Sequence, residues 1–224
     1  MKKKFVLLFL AVILAFTFCG CKNKQQNPLY QKVSHLRQQL YQGSDQDFIV
    51  KAVYGFREVE PINDAKVNDK AYYLTFRLLD KELEQITYTL TIDFNGKTYQ
   101  DTFKLNPVAD CITAEIQVDN FNQESFSVCI SYGENNKVIT MNSIVPKGVI
   151  SYQKALDCLY EKQRPLVDAY TDSQGNFNAE LFVKIIVKDS KPFWYVAIAS
   201  GNNNLKALLI DGFSGEILAV RQIF

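Results

Sequence analysis

Histidine is almost absent from this chain: His35 is the only one in 224 residues. Nucleophilic catalysis by serine or cysteine needs a positioned base, normally an imidazole, so a single histidine leaves little room for a triad. The stretch GFSG at Gly212–Gly215 lacks the GxSxG spacing of a nucleophile elbow. Neither HExxH nor CxxC occurs, which removes the donor sets from which zinc sites are usually built. No glycine-rich loop opens a helix after a strand, so the common phosphate cradle is missing as well. In DAYTDSQGNFNAE, from Asp168, a tyrosine takes the third position and Gly175 falls too late for the turn of a calcium loop. The expectation is a chain with no catalytic residue, no metal and no cofactor.

Long apolar runs are equally scarce. The one that exists, Phe5 to Phe18, follows Lys2-Lys3-Lys4, is broken only by Thr17, and is shorter than the ~20 residues that span a bilayer. A basic start, an apolar middle and a small residue before the break describe an export signal. Gly20 supplies the small residue for cleavage before Cys21, whereas cleavage before Cys19 would put Phe18 there. Phe18-Cys19-Gly20-Cys21 resembles the bacterial lipobox, with Phe18 where the pattern usually has an aliphatic residue. That resemblance implies cleavage between Gly20 and Cys21, acylation of Cys21, and a protein anchored by lipid on the extracytoplasmic side of a bacterial membrane. Two or more acyl chains make a stable anchor where one is marginal.

Charge of one sign is lacking too. Residues 1–20 hold three lysines and no acid, so their removal changes 25 basic against 24 acidic residues to 22 against 24. A faintly acidic chain with no long Lys/Arg run has no electrostatic footprint for nucleic acid. Beyond Cys21 only Cys111, Cys129 and Cys158 remain, an odd number at spacings that suggest no disulfide framework. Cys111 and Cys129 either pair across neighbouring strands or stay free.

After a polar tether at 21–27, Leu29, Val33, Leu36 and Leu40 fall at helical spacing. With Asn27 as a cap, Pro28 in the first turn and Gly43 at the exit, the pattern predicts an amphipathic helix over 28–43. His35 then sits beside the apolar stripe as a solvated helix residue. From 44 to 146 come seven short β-rich runs. Alternation puts Ile112, Ala114, Ile116 and Val118 on one face, and Phe126, Val128, Ile130 and Tyr132 on another. Asn95-Gly96 marks a hairpin, because a type I′ turn needs positive φ at both central residues. This segment predicts an antiparallel β-sandwich of immunoglobulin-like architecture, without the Cys-Trp-Cys hallmark. From 147 to 224 a helix capped by Ser151, with Tyr152, Ala155, Leu156 and Leu159 on one face, precedes three or four strands. The whole is expected to be α+β with two domains.

The stretch from Val149 to Phe224 resembles the PepSY domain family. Ile150-Ser151-Tyr152 entering a helix with Ala155, the run KPFWYVAI, and LLIDGFSGEIL carry the likeness. In the last of these, Asp211, Gly215, Glu216, Ile217 and Leu218 occupy the family's strand-Asp-turn-Gly-Glu-strand places. The resemblance implies a helix packed on an antiparallel sheet and a module that binds or restrains a peptidase or an envelope peptide; it brings no catalytic residues. Phe193, Trp194 and Tyr195 are consecutive, so a strand sends Trp194 to one face and its neighbours to the other, making the trio a candidate interaction surface. The leading expectation is a non-enzymatic, lipid-anchored binding protein. An envelope hydrolase using a carboxylate pair, which would assemble only in the fold, and a structural or small-ligand-binding lipoprotein are the alternatives.

Overall fold

The computed structural model describes residues 27–60, 67–80, 87–107, 111–200 and 205–223. Asn27 does cap the start: its side chain accepts from the Leu29 amide at 3.0 Å, and Pro28 opens the turn. The turn is a single 3-10 one, Pro28–Lys32, and the chain continues as strand β1, Val33–Ser44. The helix expected over 28–43 is therefore corrected, and the reason is local. Val33 and Leu36 are three apart, which in a regular strand would put them on opposite faces. A register shift between Val33 and His35 lets both enter the same core. A second shift, between Arg37 and Gln39, separates Leu40, packed against that core, from Tyr41, which belongs to another. Two irregularities in one strand counterfeit a helical stripe.

The runs that follow are strands: β2 (Phe48–Glu58), β3 (Lys70–Asp80), β4 (Tyr88–Phe94), β5 (Lys97–Thr102), β6 (Lys104–Asn106), β7 (Cys111–Gln117), β8 (Ser125–Tyr132) and β9 (Asn135–Ser143). Asn95 and Gly96 turn β4 into β5 with φ of 50° and 72°. One path runs β1-β2-β3-β7-β6, while β9 pairs with β1 and continues through β8 and β4 to β5. Strands β5 and β6 are separated only by Phe103, and there the chain changes partner from β4 to β7. The sheet thus curls until its two ends meet. The enclosed space is filled by side chains, with Tyr41, Tyr54, Leu74, Phe76, Leu90 and Ile130 all nearly inaccessible. Phe121 sits among the rings of Phe94, Phe126, Tyr54 and Tyr41 at centroid separations of 4.9, 4.9, 5.7 and 5.9 Å, and its amide donates to Tyr54 Oη. Each such ring pair adds about 0.5–1.5 kcal/mol to simple burial.

Helix α1 (Tyr152–Lys162) and the short α2 (Arg164–Asp168) lead into β10 (Glu180–Lys188), β11 (Lys191–Ala199), β12 (Leu205–Asp211) and β13 (Ile217–Ile223). Ser151 caps α1 through the Lys154 amide, and Ala155, Leu156 and Leu159 are buried in a second core with Leu36, Val183, Trp194 and Val196. The last four strands form antiparallel hairpins, but β10 lies parallel to β1. That pairing overturns the expected fold class of an immunoglobulin-like sandwich followed by a separate α+β unit. The described residues instead form one curled, mostly antiparallel thirteen-stranded sheet with few helices. Strand β1, read in the sequence as a helix outside either domain, is the element both halves share. Its edge meets β10 at Val33–Arg37 and β9 at Tyr41–Gln42. Cys111, Cys129 and Cys158 are free thiols; β7 and β8 are not neighbours, so Cys111 and Cys129 do not pair.

Candidate functional site

Alternation along β1, β2, β3 and β10 sends one set of side chains into the two cores and leaves the other on a shared outer face. On β3, Leu74, Phe76 and Leu78 are buried while Tyr73, Thr75 and Arg77 point outward; on β1 and β10, Leu36 and Val183 go inward, His35, Arg37 and Lys184 outward. Across this face runs a recess of about 470 Å³ whose lining includes His35, Arg37, Arg57, Arg77, Lys104 and Glu115. A smaller recess of about 190 Å³ shares His35 and Arg37 with it and adds Phe182, Lys184 and Tyr195. Together they cross the line where the curled sheet meets β10 and β11. Gly55 forms part of the floor, opposite Arg37; a Cβ there would lie 1.8 Å from the Leu36 carbonyl oxygen, so the strand crossing admits only glycine.

The recess is cationic. Arg57 is neutralised by Glu115 at 2.5 Å and stacks over Tyr73, with its guanidinium carbon 4.5 Å from the ring centroid. Glu115 also accepts from Thr75 Oγ1 at 2.9 Å, and its own amide donates to Asp101 Oδ2 at 2.7 Å. Arg37 has no carboxylate among the described residues; its Nε donates to His35 Nε2 at 3.3 Å. Burial, then repulsion from Arg77 and Arg57, pulls Arg37 below the usual guanidinium range. Burial, with Arg37, Arg57 and Lys184 nearby, takes His35 down from 6.5 to about 4. A neutral imidazole is what allows Nε2 to act as an acceptor. Lys184 Nζ lies 4.5 Å from the Tyr195 ring centroid. Positive charge in a partly desolvated recess, with two aromatic rings at its walls, suits an anion.

Of the residues nominated from sequence, Gly20 and Cys21 lie outside the described residues. Trp194 is 3% exposed and donates its indole N–H to the Ile150 carbonyl at 2.9 Å, so it fastens the strand to the entry of α1. Phe193 and Tyr195 take the opposite face, and Tyr195 alone of the three lines a recess. Asp211 accepts from the Phe213 and Ser214 amides, Ser214 Oγ accepts from the Glu216 amide, and Gly215 has φ of 70°, a self-contained turn. In the loop after Asp168, Asp172 accepts from Gln174 and Asn176 amides and from the Asn176 and Asn178 side chains, which engages both its oxygens. His35 is not a solvated helix residue but a half-buried strand residue in the recess. Arg37, Arg57 and Arg77 were not singled out. For Arg57 and Arg77 the signal is the polar half of the alternation in VKAVYGFRE and AYYLTFRLL, which marks an outward face but not which strands share it.

Comparison with protein-family profiles, with curated proteins and with solved structures finds no match to this chain. The functional reading rests on the recess itself.

Proposed function

We propose that this is an extracytoplasmic binding protein, cleaved before Cys21, acylated on that residue, and presenting the outer face of β10-β1-β2-β3 to its ligand. The observation that carries the reading is the open recess lined by Arg37, a half-buried cation without a carboxylate partner among the described residues. Its volume lies in the range of small-molecule sites. Its two carboxylates are engaged in holding Arg57, Thr75 and a backbone amide, a supporting role that favours binding over acid–base chemistry.

Anchoring and binding are compatible in space. Six residues separate Cys21 from Asn27 inclusive of Cys21, a reach of about 20 Å when extended. Asn27 is fastened to α1, its Nδ2 donating to the Leu156 carbonyl at 3.2 Å and to Asp157 Oδ1 at 3.1 Å. Helix α1 covers the inner face of the sheet, so a lipid on Cys21 would hold that side toward the bilayer and turn the recess away. Cys21→Ala should leave the protein as precursor or release it from the membrane fraction. Wild-type acylation and fractionation of that variant would remove the anchor from the account.

A second reading keeps the resemblance to PepSY domains. Strand β13 ends the sheet, pairs only with β12 among the described residues, and exposes Leu218 and Val220. An extended peptide could add there by strand pairing.

A further inference from the structure

We infer that the recess binds a small, multivalent oxyanion, a molecule carrying two or more carboxylate or phosphate groups. This rests on the proposed binding role and names its chemistry.

The argument begins with placement. Neighbouring strands each deliver one cation to the same face: Lys184 from β10, Arg37 from β1, Arg57 from β2 and Arg77 from β3, with Lys104 from β6 on the far wall. Lys184 and Arg37 are direct register partners. Against these five stand Asp101 and Glu115, and Glu115 is the one paired, with Arg57. Arg37, Arg77, Lys104 and Lys184 have no ion pair among the described residues. Cations gathered together repel one another, and Arg37 is also partly removed from water, so the cluster is an arrangement that a bound anion would stabilise.

Geometry adds the kind of anion. Among the described residues His35 occupies only Nε of Arg37 and leaves both Nη groups, the fork that matches the two oxygens of a carboxylate or phosphate. The cations are spread over two joined recesses, of about 470 and 190 Å³, so a single monovalent ion would meet only part of them. The rings of Tyr73 and Tyr195 hold Arg57 and Lys184 by their faces and wall the space between charges. A long polyanion or a charged membrane would need a basic surface extending beyond the recess. The near-neutral chain carries no long Lys/Arg run, and the recess lies opposite the helix that fixes Asn27.

The test uses the purified protein and calorimetric titration with citrate, inorganic phosphate and, as an uncharged probe, cellobiose, repeated at low and raised sodium chloride. Citrate should bind more tightly than phosphate and weaken as salt rises. Arg37→Gln should weaken citrate at least tenfold, Arg37→Lys should lie between, and Lys104→Gln, at an exposed position whose folding is not in question, should weaken it severalfold. Arg164→Gln, on α2 outside the recess, should bind as the parent does. Phosphate binding more tightly than citrate, with the same dependence on Arg37, would overturn the multivalent assignment and leave a site for a single phosphate group. Cellobiose binding that survives Arg37→Gln, with neither anion bound, would overturn the inference and leave the binding role standing. Binding of no probe would remove both. Vesicles containing phosphatidylglycerol that displace citrate through Arg37 would overturn the small-molecule assignment in favour of a membrane surface.

Discussion

A guanidinium among guanidiniums is an expensive thing to hold still. Arg37 lies half-buried near Arg57 and Arg77, and of the three only Arg57 has a carboxylate partner among the described residues. Replacing a buried charge by a well-packed apolar side chain is often neutral or stabilising, so packing alone gives no reason for arginine at 37. His35 shares that environment. Arg37 on β1, Arg57 on β2 and Lys184 on β10 face it, Glu115 on the same recess is paired with Arg57, and the ring of Phe182 stands edge-on at 6.3 Å. The ring titrates near 6.5 in the unfolded chain and about 4 in the fold, so between those values the unfolded state binds the extra proton. The His35 contribution is therefore complete above pH 6.5 and drains away as pH falls toward 4. Denaturant unfolding should show a loss on the order of 2 kcal/mol from this residue between pH 7 and 5, and His35→Gln should flatten that part of the profile. An unchanged slope in the variant would mean His35 carries no such linkage.

At the scale of elements, β1 decides both what could be read in advance and what could not. Strands with clean alternation were legible: Ala114, Ile116 and Val118 are buried together, as are Val128 and Ile130, and the Asn95-Gly96 turn has the left-handed backbone its residues demand. The α1 cap at Ser151 and the Asp211–Gly215 turn were legible for the same reason, since their chemistry is local. Strand β1 was not, because two register shifts and a change of core gave Leu29, Val33, Leu36 and Leu40 a helical period. With β1 taken as helix, Arg37 and His35 had no face to share with Arg57 or Lys184, and the recess vanished from view. The crossing of β1 over β2 depends on Gly55. Gly55→Ala would drive a methyl group into the Leu36 carbonyl and should lower stability by about 2–3 kcal/mol. Stability within about 0.5 kcal/mol of the parent would show that the two strands separate more easily than their register implies.

For the whole molecule, a sheet that branches at one strand explains how two cores act together. The curled part encloses Tyr54, Phe76 and Phe121, the flank with α1 encloses Leu181, Trp194 and Ile210, and β1 contributes to both. The recess spans that junction on the outer face, so its cations are set by the pairings β10-β1, β1-β2 and β2-β3 at once. Because His35 is the only histidine, its imidazole proton resonance is a single, unambiguous reporter at the centre of this arrangement. The decisive measurement is a proton NMR titration of that resonance, without and with saturating citrate. The account predicts a midpoint about 4 for the free protein and a clear upward shift with citrate, as the anion offsets the surrounding positive charge. A midpoint near 6.5 that citrate leaves in place would contradict it.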